Sequence, residues 1–126
     1  MNIVLDTNVL CALFDQNDIH HEAAERLFQE TAGCRIFLPC IVAAELLAGD
    51  VPVEKLLELC KNLADAFLAV TERELHIISD FPLVIRKKLK ANDCLVLAHA
   101  IHHHADLYTF DAKLRKAFRS LQANFS

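Results

Sequence analysis

The sequence predicts an α/β fold, a sandwich in which a central parallel sheet of four or five strands lies between helices. Three observations carry this reading. Short apolar runs at 2–5, 35–39, 67–70 and 106–110 are each followed by a segment with helical periodicity. Gly (2) and Pro (3) are scarce, which implies short connections. Strands that alternate with helices pair in parallel, and the helices then cover both sheet faces. At 126 residues and 54% hydrophobic composition, there is chain for one domain, 1–126, with a sizeable core.

Asn2-Ile3-Val4-Leu5 is a short core strand that stops at Asp6, and 8–14 resumes as a helix. "NDIHHEAAERLFQET" reads as a second helix capped by Asn17 or Asp18, with Ile19, Ala23, Leu27 and Phe28 on one face. "RIFLP" is a strand closed by Pro39, and "CIVAAELLAG" a helix closed by Gly49. Pro52 opens the amphipathic "VEKLLELCKNLADA", and "FLAV" is the third strand. Thr71 with Glu74 forms a capping box for the next helix. After Phe81-Pro82 come "LVIRKKLK" and "NDCLVLAHAIHHHA", two helices with Asn92 or Asp93 at their junction. "DLYTF" is the fourth strand, followed by Asp111 and a basic helix, "AKLRKAFRS".

Several function classes are disfavoured by composition. A net charge of -4 and a pI near 5.9 argue against a general electrostatic grip on nucleic acid, which requires clustered Lys and Arg, although a local basic patch remains open. Five cysteines, at 11, 34, 40, 60 and 94, form no C-x-x-C pair and sit mostly in apolar runs, as suits small core residues in a reducing compartment. No charged start precedes a long apolar run with a cleavage site, and no apolar run is long enough for a bilayer. The expectation is a soluble, cytoplasmic protein.

Four acids converge on this topology. Parallel strands deliver side chains to their carboxyl edge beside helix N-termini. Asp6 ends strand one, Asp111 follows strand four, Glu45 lies in the helix after strand two, and Asp93 begins the helix before strand four. Four carboxylates in one apolar neighbourhood repel one another unless a cation offsets them. Oxygen ligands without Cys/His spacing favour Mg²⁺ or Mn²⁺ over Zn²⁺, and the constellation suits metal-assisted phosphodiester hydrolysis. The competing reading of Asp6 and Asn8 is a helix cap.

"LDTNVL", "AAELLAG" around Glu45, "KANDCLVLAHA" around Asp93 and "LYTFD" ending at Asp111 together resemble the four acidic motifs of the PIN-domain nucleases, particularly the short VapC-type toxins. The resemblance spans the whole chain in order. It implies a PIN-like α/β/α sandwich, Mg²⁺ or Mn²⁺ held by Asp6, Glu45, Asp93 and Asp111, and endoribonuclease activity on RNA. It further implies that Asn8 and Thr109 orient ligands or water, and that the chain is a homodimer inhibited by a small antitoxin protein. One departure stands out: the segment 71–90 is shorter than the corresponding region of many VapC-type chains.

Positive charge gathers near two of the acids. Arg86, Lys87, Lys88 and Lys90 precede Asp93, and Lys113 and Arg115, with Lys116 and Arg119, follow Asp111. They are candidates for guiding an RNA backbone, against the alternative of two solvated helix faces. His99, His102 and His103 have a spacing that can hold a transition metal, although a His-rich helix surface near a C-terminus accounts for them more simply. An RNA-processing nuclease without an antitoxin and a non-cleaving RNA- or protein-binding module are the alternatives to a toxin. The second has no reason to keep four mutually repelling acids together.

Overall fold

A computed structural model describes residues 1–125, with the side chains of residues 60 and 125 excepted. Four strands, β1 (Asn2–Leu5), β2 (Arg35–Pro39), β3 (Ala66–Leu68) and β4 (Asp106–Tyr108), form one sheet in the order β3-β2-β1-β4, with every pairing parallel. The helices are α1 (Thr7–Phe14), α2 (His21–Glu30), α3 (Cys40–Ala48), α4 (Val53–Leu63), α5 (Glu72–Ser79), α6 (Leu83–Lys88), α7 (Ala91–His102) and α8 (Ala112–Phe125). They flank the sheet in the expected α/β/α arrangement. Among the described residues, no helix is long and apolar enough to cross a membrane.

The two inner strands, β1 and β2, are apolar past their first residue because both their faces are covered. Ile3, Val4 and Leu5 are buried on β1, and Ile36, Phe37 and Leu38 on β2. Val9, Leu10, Leu46, Val96, Leu97 and Leu114 bring four helices onto the same core. Burying a Leu or Val side chain contributes roughly 1.5–3 kcal/mol, so these contacts hold the strand ends, and whatever they carry, in place.

Two elements start elsewhere than the pattern suggests. Asp15 and Asp18 turn their carboxylates onto the backbone N–H groups of Asn17 (2.9 Å) and His20 (2.8 Å), so the connection continues as turns and α2 opens only at His21. Ile19, expected on the helix face, is consequently 91% exposed. The third strand begins a residue early and ends at Leu68 because Asp65 pairs with both backbone groups of Ile36: its carboxylate accepts the Ile36 N–H at 2.6 Å, and its own N–H donates to the Ile36 carbonyl at 2.8 Å. Leu47 on α3 is 44% exposed.

Helix ends follow local chemistry. Thr71 and Glu74 form the expected capping box on α5. Gly49 closes α3 through N–H bonds to the carbonyls of Glu45 and Leu46, at negative φ. The left-handed closure belongs to α7, where His104 takes φ +49°. Its N–H donates to Ile101, and that of Ala105 to Ala100, the paired bonds of a Schellman ending.

Candidate functional site

Asp6 ends β1 and caps α1, so the two readings of the residue describe one geometry. Oδ1 accepts the Thr7 N–H at 2.8 Å. Oδ2 accepts the Thr109 hydroxyl at 2.7 Å and the Asn8 amide at 3.2 Å. Asp6 is only 8% exposed, and a rigid strand end with three donors on its carboxylate leaves it one orientation.

Thr109 and Asn8 join the two strand ends. The Thr109 hydroxyl donates to Asp6 and accepts from the Asn8 amide (3.1 Å) and the Asp111 N–H (3.0 Å), which uses its full hydrogen-bonding capacity. Asn8 Oδ1 accepts the Phe110 N–H at 3.0 Å. The stretch after β4 is thereby pinned to the start of α1. Asp111 in turn caps α8, its Oδ1 accepting N–H groups from Lys113 (2.9 Å) and Leu114 (3.2 Å).

Glu45 and Asp93 approach from the helices. Glu45 lies on α3 and is half-buried, and its Oε1 accepts the Asn92 side-chain amide at 3.0 Å. Asp93 lies in the first turn of α7, next to that Asn92, where the positive end of the helix dipole favours a carboxylate. Asn92 is a site residue that the sequence offers only as a helix-junction residue. Its partner is 47 positions away, and no local pattern predicts such a pairing.

The four acids share one electrostatic field. Burial raises the Asp6 carboxyl above its ordinary range against the pull of Thr109 and Thr7, and the charges of Glu45 and Asp111 raise it further. Asp93 is raised by burial and then by Asp6, Asp111 and Glu45, with Lys90 opposing. Asp93 therefore senses all three of the other acids, and Asp6 senses Glu45 and Asp111. Carboxylates that raise one another in this way offer only oxygen donors, the chemistry suited to a hard dication such as Mg²⁺ or Mn²⁺.

The basic residues divide into two groups. Arg86 commits its Nε to the Phe81 carbonyl at 3.1 Å, and Arg115 its guanidinium to the Thr109 carbonyl. Lys88 from α6 and Lys113 and Lys116 from α8 line one groove of about 270 Å³, with Val84, Ile85 and Leu89 on its apolar wall. Lys87 and Lys90 are exposed beside them. Two charge runs 20 or more positions apart thus meet at one surface. On the other side of Asp111, exposed His20 stacks on Phe110 with ring centroids 4.5 Å apart.

The histidines are not a helix surface. His99 is fully buried, and His102 and His103 lie at the far end of α7 from Asp93.

A four-stranded parallel sheet between helices, with an acid from the end of β1, one from each of two helices and one after β4 at its carboxyl edge, defines a PIN-like α/β/α protein. The comparisons agree. The sequence matches the PIN domain family over residues 3–119, and the chain belongs to that family. No curated protein matches it in sequence. Among solved structures it is similar to VapBC2 from Rickettsia felis, bound to a DNA fragment from its promoter, with a TM-score of 0.71, 19% identity and 93% of each chain covered. It is also similar to VapBC-1 from nontypeable Haemophilus influenzae, with a TM-score of 0.70, 23% identity, and 95% of this chain and 94% of that one covered. FitAcB from Neisseria gonorrhoeae follows at 0.65, with 21% identity and 93% of each chain covered.

Proposed function

We propose that the chain is a divalent-metal-dependent endoribonuclease of the cytoplasm and the toxin of a VapBC-like toxin–antitoxin pair. The observation that carries the activity is the shared field of Asp6, Glu45, Asp93 and Asp111, which leaves Asp6 and Asp93 under-neutralised at a rigid edge. These four residues would hold Mg²⁺ or Mn²⁺, and the ion would supply activation of a water and neutralisation of phosphate charge during hydrolysis. Thr109 and Asn8 fix the orientation of Asp6, and Asn92 fixes that of Glu45. The groove of Lys88, Lys113 and Lys116 attracts the RNA backbone.

The toxin assignment rests on the likeness to VapBC complexes. Exposed Leu47, Val53 and Leu57 on α3 and α4 are apolar surface for a partner, which we assign to a second copy in a homodimer. An antitoxin's Arg is suited to the acids, where a guanidinium pairs bidentately with carboxylate. The test is incubation of purified protein with end-labelled RNA in Mg²⁺, Mn²⁺ or EDTA, alongside expression of the chain alone and with the neighbouring small gene. Internal cleavage only with the metals, and growth arrest relieved by the neighbour, support the reading. Metal-dependent cleavage without growth arrest transfers the chain to RNA processing.

A further inference from the structure

α5 and α7 bury a second group of metal-ligating side chains, away from the four acids. One ligand atom each from Glu74, His102 and His103 lies within 4.8 Å of the other two. Glu74 Oε1 is 2.9 Å from Nδ1 of His102, and its carboxylate is 1% exposed. The other oxygen, Oε2, is held by the Thr71 hydroxyl and, at 3.1 Å, by the Thr71 N–H. The capping box therefore aims Oε1 at the histidines.

His99 supplies the independent observation. It is fully buried, Nδ1 stands 3.2 Å from Glu74 Oε1 outside hydrogen-bonding geometry, and neither ring nitrogen has a hydrogen-bond partner. A buried polar group without a hydrogen bond costs about 1–3 kcal/mol, and His99 has the Glu74 carboxylate at 3.2 Å to offset part of it. Two half-exposed imidazoles and a buried carboxylate are a nitrogen-rich donor set. It differs in kind from the all-oxygen set at the other end of α7.

We propose that Glu74, His102 and His103 bind one borderline transition-metal dication, Zn²⁺ fitting best, that clamps α5 to the end of α7. Two imidazoles and a carboxylate suit tetrahedral Zn²⁺ with a water in the fourth position. His103 lies at the strand-start edge, where its carbonyl accepts the Asn2 side chain at 3.1 Å. Asp93 and His102 are nine residues apart on one helix, about 14 Å at 1.5 Å per residue, so the two sites fill independently.

Titration of Zn²⁺ against a chromophoric chelator tests the site in full-length Asp93→Asn protein, whose acid site is impaired. One equivalent should bind, and His102→Ala with His103→Ala should weaken it at least about 100-fold, since two ligands are lost. No binding to Asp93→Asn, or unchanged affinity in the double variant, overturns the proposal. If the double variant does not fold, Co²⁺ added to Asp93→Asn protein decides. Intense visible bands of tetrahedral N/O coordination are expected, and a weak octahedral spectrum overturns the site.

Discussion

Replacing Thr109 with Val keeps the shape of a 1%-exposed side chain and removes the hydroxyl that ties β4 to Asp6. The loss begins with one hydrogen bond of 2.7 Å to a carboxylate, about 1.5–3 kcal/mol because the acceptor is charged. Two donors also lose an acceptor. The Asn8 amide keeps Asp6 Oδ2 as its other partner, and the Asp111 N–H sits beside an exposed residue within reach of water, so together they add about 1 kcal/mol or less. The expected destabilisation is about 2–4 kcal/mol in urea unfolding. Thr109→Ser keeps all three bonds and should lose only about 1 kcal/mol, the worth of a buried methyl. The same pair should separate in Mg²⁺ dependence, with Val raising the Mg²⁺ concentration needed for cleavage and Ser restoring it. Thr109→Val within 0.5 kcal/mol of wild type, or Ser as damaging as Val, would refute the idea that this hydroxyl organises the site.

Glu74 gives a pH signature. Burial raises its carboxyl, but bonds from Thr71, His102 and the backbone override that and hold it at about 2, against 4.5 ordinarily. At about 1.4 kcal/mol per pH unit the difference corresponds to about 3 kcal/mol, present above pH 4.5 and lost as pH falls toward 2. Buried His99, depressed below 6.5, likewise favours folding above that pH and less below it. Asp6 and Asp93, raised in the fold, act oppositely and regain stability as they take up protons. The readout is therefore the stability gap between wild type and Glu74→Gln in EDTA, expected to close between pH 4.5 and 2; a gap independent of pH contradicts it. His104→Gly should stabilise the protein by about 0.5–1 kcal/mol, because an exposed residue at φ +49° carries a left-handed penalty that glycine avoids; a lower melting temperature counts against it. Glu substitution of Lys88, Lys113 and Lys116 should weaken RNA binding and flatten its salt dependence by about three ion releases, with metal affinity unchanged; an unaltered slope makes the groove a solvated face.

Much of the edge was legible because its parts are local. An apolar strand that stops at Asp6, a basic helix that starts after Asp111 and a capping box at Thr71 each lie within a few residues of their cause. What stayed hidden depends on contacts between distant residues. Asn92 reaches Glu45 across 47 positions, so sequence proximity offers it only as a junction residue, and Thr109 reaches Asp6 across 103, so only the resemblance brings Thr109 forward. The start of α2 was misplaced because Asp15 and Asp18 are as able to form turns as caps. His99 looked like surface because its helix reads as polar near the end, whereas α5 packs over it and buries it.

Asp93→Asn tests the central claim most directly. The change is nearly isosteric, sits at a half-buried helix start, and removes one of the charges that repel one another at the sheet edge. Wild-type and variant proteins purified in parallel are melted in EDTA and assayed for RNA cleavage across a Mg²⁺ and Mn²⁺ series. The account predicts a melting temperature equal to or above that of wild type and cleavage reduced about 100-fold or more, the scale of several kcal/mol of metal-assisted charge stabilisation. Equal metal-dependent cleavage by the two proteins would contradict it.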